Sequence, residues 1–338
     1  MKRVLQLEIY KLFKRKLAWI AILAIVLYGF YLAIPKFDAE ESRTLQYQMK
    51  QQEASKGILT DERLENFIKN YRMAKYDPIK DNFVDENGQI KKIKELFPNI
   101  GFKLRFGYFG YWKLRLSILQ DFIKYIFAFV IVVFSATFTY EKGCGMQEIL
   151  LSTKNGRKKY IKAKVGTAFL VTNLLCLFII ILALLPLFAV TKGVGWDTSI
   201  QMFTELMTST LDMNNLELLF HAIFLSLVVI NALLLITLSV SFLVKSPVAV
   251  MCAIFGILFF IRPDMIALLN NDTASLITSL MPSNVIDVIN LAQQVPIQLG
   301  GVKIPCLTVA EVLYTLILIA GGVFFFRVLT KHQSYYAS

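Results

Sequence analysis

The charged residues with the most regular spacing lie in a polar segment, residues 141–164, between two long apolar runs. The segment holds two acids, Glu141 and Glu148, against seven Lys or Arg residues, which stand at 142, 154, 157, 158, 159, 162 and 164. Loops rich in Lys and Arg remain on the cytoplasmic side of a membrane, which predicts a cytoplasmic loop.

Apolar residues within this segment repeat with helical spacing. Met146, Ile149 and Leu150 lie at i, i+3 and i+4, the pattern breaks at Asn155-Gly156, and it resumes at Tyr160. The spacing predicts two short helices joined by a turn. A loop that only connected two membrane helices would not need this much patterned structure.

The same segment resembles a loop of the type-2 ABC transporter permeases. The resemblance rests on Glu141 after an apolar helix, then Glu148, Leu150-Leu151-Ser152-Thr153, Gly156-Arg157 and Lys164 before the next helix. In that family the loop is the coupling helix, which sits in a cleft of the ATPase subunit. The resemblance implies an ATPase-coupling surface made of Glu141, Met146, Glu148, Leu150, Leu151, Lys154, Arg157 and Lys158.

Residues 1–16 predict a basic amphipathic helix that lies in the headgroup plane. Leu5, Ile9 and Leu12 form its apolar stripe together with Phe13. The resemblance extends to this helix, which corresponds to the family's elbow helix, with interface residues Lys11, Phe13, Lys14 and Arg15. A signal peptide is the alternative, and it is rejected because the apolar run that follows is long and lacks a small-residue cleavage site.

Composition predicts an integral membrane protein. Hydrophobic residues make up 56% of the 338 residues, and the mean hydropathy is +0.57. The predicted fold is an all-α polytopic membrane protein with six transmembrane helices, both termini cytoplasmic, and an extracellular domain that is α-rich or α+β. The six predicted spans are 17–35, 117–140, 165–191, 218–244, 248–261 and 307–329.

Three segments are predicted to lie outside: a domain at 36–116, a loop at 192–217, and an outer or re-entrant segment at 262–306. The cytoplasmic tail is 330–338. An aromatic run precedes the second span and includes Phe106, Tyr108, Phe109, Tyr111 and Trp112. Two interpretations are open: an interfacial belt leading into the helix, which is favoured, or a substrate contact that grips an amphipathic ligand.

Several kinds of chemistry are absent from the sequence. It contains no phosphate-binding loop, no zinc-protease motif, no serine nucleophile motif and no CxxC pair among its four cysteines. Two ionisable residues near membrane depth, Lys124 and Glu311, fall at helix ends. The formal charge of +12 suits anionic lipid headgroups and not nucleic acid, because the basic residues flank apolar runs. We therefore predict no catalysis and no metal or cofactor in this chain.

The resemblance implies a permease subunit of an ABC exporter in a bacterial cell membrane. The expected partners are two ABC ATPase subunits, which bind ATP and Mg²⁺, a second permease copy or sister permease, and membrane lipids. The expected substrate is amphipathic: a peptide antibiotic, a lipid or a drug. The alternative function is a membrane sensor or scaffold with a ligand-binding outer domain, and a secondary carrier ranks third.

Overall fold

The computed structural model describes residues 2–14, 16–33, 39–54, 56–58, 83–84, 90–91, 104–146, 149, 159–206, 209, 211–260, 272–294, 296–299 and 302–331. Most of the described chain is helical. The helices are α1 (Lys2–Lys14), α2 (Lys16–Ala33), α3 (Ala39–Ala54), α4 (Gly110–Phe134), α5 (Ala136–Gly143), α6 (Ile161–Thr191), α7 (Asn215–Leu243), α8 (Pro247–Phe260), α9 (Asp272–Ser279), α10 (Val288–Gln293) and α11 (Cys306–Lys331).

Three short antiparallel strand pairs accompany the helices. They are β1 (Gly57–Ile58) with β4 (Arg105–Phe106), β2 (Phe83–Val84) with β3 (Ile90–Lys91), and β5 (Ile297–Leu299) with β6 (Val302–Ile304). All three pairs lie in segments that the sequence assigns to the outside. Two of them fall in the predicted domain 36–116, most of which lies outside the described residues.

Four described helical segments are long and apolar enough to cross a membrane: Gly110–Gly143, Ile161–Thr191, Asn215–Leu243 and Cys306–Phe325. Two shorter apolar helices, Ala18–Tyr31 and Pro247–Gly256, cover the first and fifth predicted spans. The structure thus confirms a helical membrane protein, whereas the number of six spans and the sidedness stay predictions. Helix α4 begins at Gly110 and α6 at Ile161, so both helices include residues that the sequence assigns to the preceding segments.

The centre of the bundle is formed by α4, α6 and α7, which pack against one another. Helix α2 covers α4 and α6 on one side, and α11 packs on α7. The core is apolar, with fully buried side chains such as Phe122, Ile179 and Leu234. Helices α6 and α7 are hydrophobic all round, as expected of segments surrounded by other helices and lipid.

A cap covers one end of α4, and we call it the outer cap because the sequence predicts this side to be outside; it consists of residues 104–113 and the described residues of 192–217. Arg105 and Ser199 exchange hydrogen bonds, and the Trp112 indole donates to the Val194 carbonyl at 2.8 Å. Gly195 has φ +83°, and a Cβ there would meet the Tyr108 carbonyl oxygen at 1.9 Å, so the close approach requires glycine.

Ion pairs reinforce this cap. Lys56 lies 3.0 Å from Asp197, and Lys113 pairs with Glu205. The hydrogen bond that the Lys56 ammonium donates to Asp197 raises the pKa of Lys56 above its usual value, against the opposing effect of desolvation. The capping box of Asn214 and Glu217 then starts α7.

A pair of carboxamides joins α6 to α7 within the membrane-spanning region. Asn173 Nδ2 donates to Asn231 Oδ1 at 2.9 Å, and Asn231 Nδ2 donates to Asn173 Oδ1 at 3.0 Å. Each Nδ2 also donates to the carbonyl four residues earlier in its own helix. At 1.5 Å per residue, both lie about 18 Å from the helix ends that flank the 141–164 loop and the α7–α8 turn. The pair fixes the axial register of α6 against α7.

We expect Asn173→Leu or Asn231→Leu to destabilise the protein by about 1–3 kcal/mol, because each leaves the other carboxamide without its partner in an apolar setting. The double Leu variant recovers most of this loss, since neither amide then remains. Chemical unfolding in detergent gives the free energy of unfolding of the wild type, the two single variants and the double variant, which together form a double-mutant cycle. Additive losses in the double variant would show that the two side chains do not interact.

Candidate coupling site

A buried ion pair joins the end of α5 to the beginning of α6. Lys164 Nζ lies 2.6 Å from Glu141 Oε2 and also donates to the Thr137 carbonyl. The Lys164 side chain is only 3% exposed, and its ammonium lies 4.8 Å from the centre of the Tyr160 ring and 5.0 Å from that of Phe138. A charge removed from water is tolerated only when it is paired and hydrogen-bonded. Glu141 therefore holds the two ends of the 141–164 loop together.

The next residue, Lys142, attaches the same loop to a different helix. Its ammonium donates to the carbonyls of Phe242 at 3.2 Å and Leu243 at 2.8 Å, the last two residues of α7. The C-terminal carbonyls of a helix lack intrahelical partners and carry partial negative charge. A lysine ammonium there supplies both a hydrogen-bond donor and a positive charge. Two consecutive residues thus link the entrance of the loop to α6 and to α7.

The elbow helix α1 contacts the same region. Lys11 pairs with Glu8 at 2.7 Å and lies 6.0 Å from the centre of the Tyr160 ring, on which Lys164 also packs. Glu8 and Leu12 are both 8% exposed. The buried face of α1 therefore includes a carboxylate that the predicted stripe of Leu5, Ile9, Leu12 and Phe13 does not contain.

The other residues predicted to form the interface of the elbow helix are Phe13, Lys14 and Arg15. Phe13 packs against Trp19 with ring centres 5.3 Å apart, and Lys14 is exposed. Arg15 lies outside the described residues. The side chains of Lys11 and Lys14 are exposed, while Leu12 is buried and holds the helix to the bundle.

The coupling candidates divide into two groups. Glu141 is half-buried in the ion pair, and Met146 is 51% exposed, as is its neighbour in the helical pattern, Ile149, at 68%. The remaining candidates, Glu148, Leu150, Leu151, Lys154, Arg157 and Lys158, lie outside the described residues, so their roles stay predictions. In the described part of the loop, the Glu141–Lys164 pair at the start is buried, whereas the apolar side chains of Met146 and Ile149 are exposed.

The aromatic candidates lie in the interior of the outer cap. Tyr108, Phe109, Tyr111 and Trp112 are at most 4% exposed, and Phe106 is partly buried. This differs from the membrane-facing belt that the sequence favours. The rings are buried because residues 192–206, which are distant in the sequence, fold over them. A local sequence pattern does not predict such a long-range contact. A substrate contact by these rings stays a prediction, and it requires the cap to open.

Three polar contacts between helices are not predicted from the sequence, although some of the residues that form them are named there. Glu311 is predicted only as an ionisable residue at a helix end, yet its Oε1 lies 2.6 Å from Nδ1 of His221, a contact that joins α7 to α11. Lys142 is predicted only as one of the seven basic residues of the 141–164 segment, without a partner. Asn173 and Asn231 carry a weak signal, as uncharged polar residues inside apolar runs. Within the described residues, no group of three His, Cys, Asp or Glu side chains is arranged to hold a metal ion.

Comparison with known proteins gives one match. The model of the family described as ABC-2 family transporter protein matches residues 3–327, nearly the whole chain. The match includes α1, the 141–164 loop and all four long apolar helices. Searches of curated proteins and of solved structures found no match.

We expect Glu141→Ala to destabilise the protein by about 3–5 kcal/mol, because it leaves the buried Lys164 ammonium without a counter-charge. The double variant Glu141→Leu, Lys164→Met should regain most of the stability, since both charges are then absent. Thermal and chemical unfolding in detergent report the change.

The matched control is Asp121→Ala, which breaks the Lys124 pair at 2.9 Å between side chains that are 55% and 53% exposed. Asp121 and Lys124 lie near one end of the predicted span 117–140, where their side chains can reach headgroups and water, so the loss of this pair should have little effect on stability. Equal losses at Glu141 and Asp121 would contradict the buried character of the Glu141–Lys164 pair.

Proposed function

Because the chain belongs to the ABC-2 family of transporter proteins, and is thus a membrane component of an ABC transporter, we propose that it is the permease subunit of an exporter. It pairs with a second permease, identical or a sister chain, and two separate ABC ATPase subunits bind ATP and Mg²⁺ and drive it. The substrate is an amphipathic molecule such as a peptide antibiotic, a lipid or a drug. The 141–164 loop receives the force.

The observation that carries this proposal is the double attachment of the loop entrance. Glu141 is bonded to Lys164 on α6, and Lys142 is bonded to the last carbonyls of α7. A displacement of the loop is therefore passed to two membrane helices at once. A connecting loop without a mechanical role has no need of two attachments on adjacent residues.

The remaining contacts extend this path through the membrane. The Asn173–Asn231 pair keeps α6 and α7 in register along their length, so the two helices respond together. His221 and Glu311 then link the far end of α7 to α11. Closure of the ATPases on ATP shifts the population between two arrangements of the bundle by binding one of them more tightly.

Amphipathic cargo is consistent with the character of the outer cap. Its interior is aromatic, and its surface carries the Lys56–Asp197 and Lys113–Glu205 pairs. Opening of the cap would expose rings beside charges, a combination that suits a molecule with both apolar and charged parts. Export, and not uptake, is the direction that the family resemblance favours.

The test is co-purification of the chain from its native cells with an ABC ATPase subunit, which its phosphate-binding loop identifies. We expect Glu148→Arg or Leu150→Asp to lower the recovered ATPase at least tenfold, because each disrupts the predicted docking surface. The melting temperature of the permease should stay unchanged, since both positions belong to the predicted loop and not to a predicted span.

The matched control is Asp212→Arg, which makes the same charge change as Glu148→Arg at an exposed position of the predicted outer loop 192–217. It should leave ATPase recovery at the wild-type level. Full recovery of the ATPase with both loop variants would rule out the 141–164 loop as the coupling element. Recovery of no ATPase with the wild-type chain would favour the sensor or scaffold function instead.

A further inference from the structure

A small cleft lies where the elbow helix α1 meets α4 and α6. Its walls include Glu8 and Lys11 from α1, Phe134 from α4, and Lys164 and Thr167 from α6. The enclosed part measures about 20 Å³, enough for one oxygen-sized group, and the cleft is open on one side. It is at the same end of the bundle as the 141–164 loop.

Two buried hydroxyl groups at this place have no hydrogen-bond partner among the described residues. The Thr167 hydroxyl lines the cleft, and the residue is only 3% exposed. The Tyr160 hydroxyl is also buried and unpartnered, and the centre of its ring lies 6.0 Å from the Lys11 ammonium and 4.8 Å from the Lys164 ammonium. Buried hydroxyls are normally satisfied, so their lack of partners indicates a polar group that completes the site.

The site also has a spare charged donor. An ammonium group has three protons, and the described hydrogen bonds of Lys164 use two of them, to Glu141 and to the Thr137 carbonyl. Glu8 is a carboxylate in the cleft wall, and Lys11 neutralises it at 2.7 Å. The surrounding surface is basic, with exposed side chains at Lys14, Lys16, Lys159 and Lys162. The electrostatic setting therefore favours an anion.

An apolar surface begins next to the cleft. Leu170, Leu174 and Leu177 follow Thr167 along α6 at helical spacing, and they are 42%, 59% and 47% exposed. A ligand that fits both surfaces has an anionic head and an apolar tail. This combination distinguishes a lipid from a free anion.

We propose that this cleft binds the phosphate group of an anionic phospholipid. One phosphate oxygen enters the enclosed space beside the Thr167 hydroxyl and the Lys164 ammonium, and the rest of the phosphate lies at the mouth near Lys11. The acyl chains lie along the exposed leucines of α6. The lipid joins the elbow helix to the Glu141–Lys164 pair, and this inference does not depend on the ATPase partner.

The test is native mass spectrometry of the full-length chain in detergent, titrated with phosphatidylglycerol and, for comparison, with zwitterionic phosphatidylcholine. We expect the wild type to retain one phosphatidylglycerol in preference to phosphatidylcholine. Thr167→Val, which removes only the hydroxyl, and Lys11→Gln should each lower the retained phosphatidylglycerol at least fivefold. Thr167→Ser keeps the hydroxyl and should retain the lipid as the wild type does.

Lys14→Gln is the matched control, because it removes the same charge from an exposed position on the same helix. It should leave retention unchanged, and the melting temperature of each variant confirms that it is folded. Equal losses for Lys11→Gln and Lys14→Gln, with none for Thr167→Val, would show diffuse surface attraction and overturn the proposal. Displacement of the lipid by millimolar inorganic phosphate would assign the site to free phosphate and overturn the lipid assignment.

Discussion

The structure depends on the cost of placing a charge away from water. The ammonium of Lys164 is almost fully buried at the end of a long apolar helix, where an unpaired cation would be strongly unfavourable. Its bonds to Glu141 and to the Thr137 carbonyl fix the beginning of α6 against the end of α5. This one requirement determines where the 141–164 loop leaves and re-enters the bundle, and it gives the loop a rigid base.

The same principle acts at three levels of the bundle. Lys142 satisfies the free carbonyls at the end of α7, the two asparagines satisfy each other within the membrane-spanning region, and His221 meets Glu311 near the opposite end. Apolar helices in lipid gain little from hydrophobic association with one another, so polar contacts and close packing decide how they are arranged. The path proposed for force transmission is therefore also the set of contacts that specifies the fold.

Much of this protein could be predicted from residues that are close in sequence. The apolar runs predict α4, α6, α7 and α11, and the charge excess of residues 141–164 singles out the loop that contains Glu141. The partners of these residues could not be predicted. Glu141 and Lys164 are 23 residues apart, Asn173 and Asn231 are 58 apart, and Lys142 reaches a carbonyl 101 residues away. Such contacts depend on helix packing, which hydrophobic periodicity does not report.

The outer cap has a consequence for the biogenesis of the chain. Arg105 precedes α4, whereas Ser199 lies 94 residues later, between α6 and α7. Synthesis proceeds from the N-terminus, so the aromatic side chains around Tyr108 are made well before the segment that covers them. Until residues 192–206 have been made, these rings lack the segment that buries them in the folded protein. The cap is thus a late-forming part of the molecule, because it cannot close before α6 has been made.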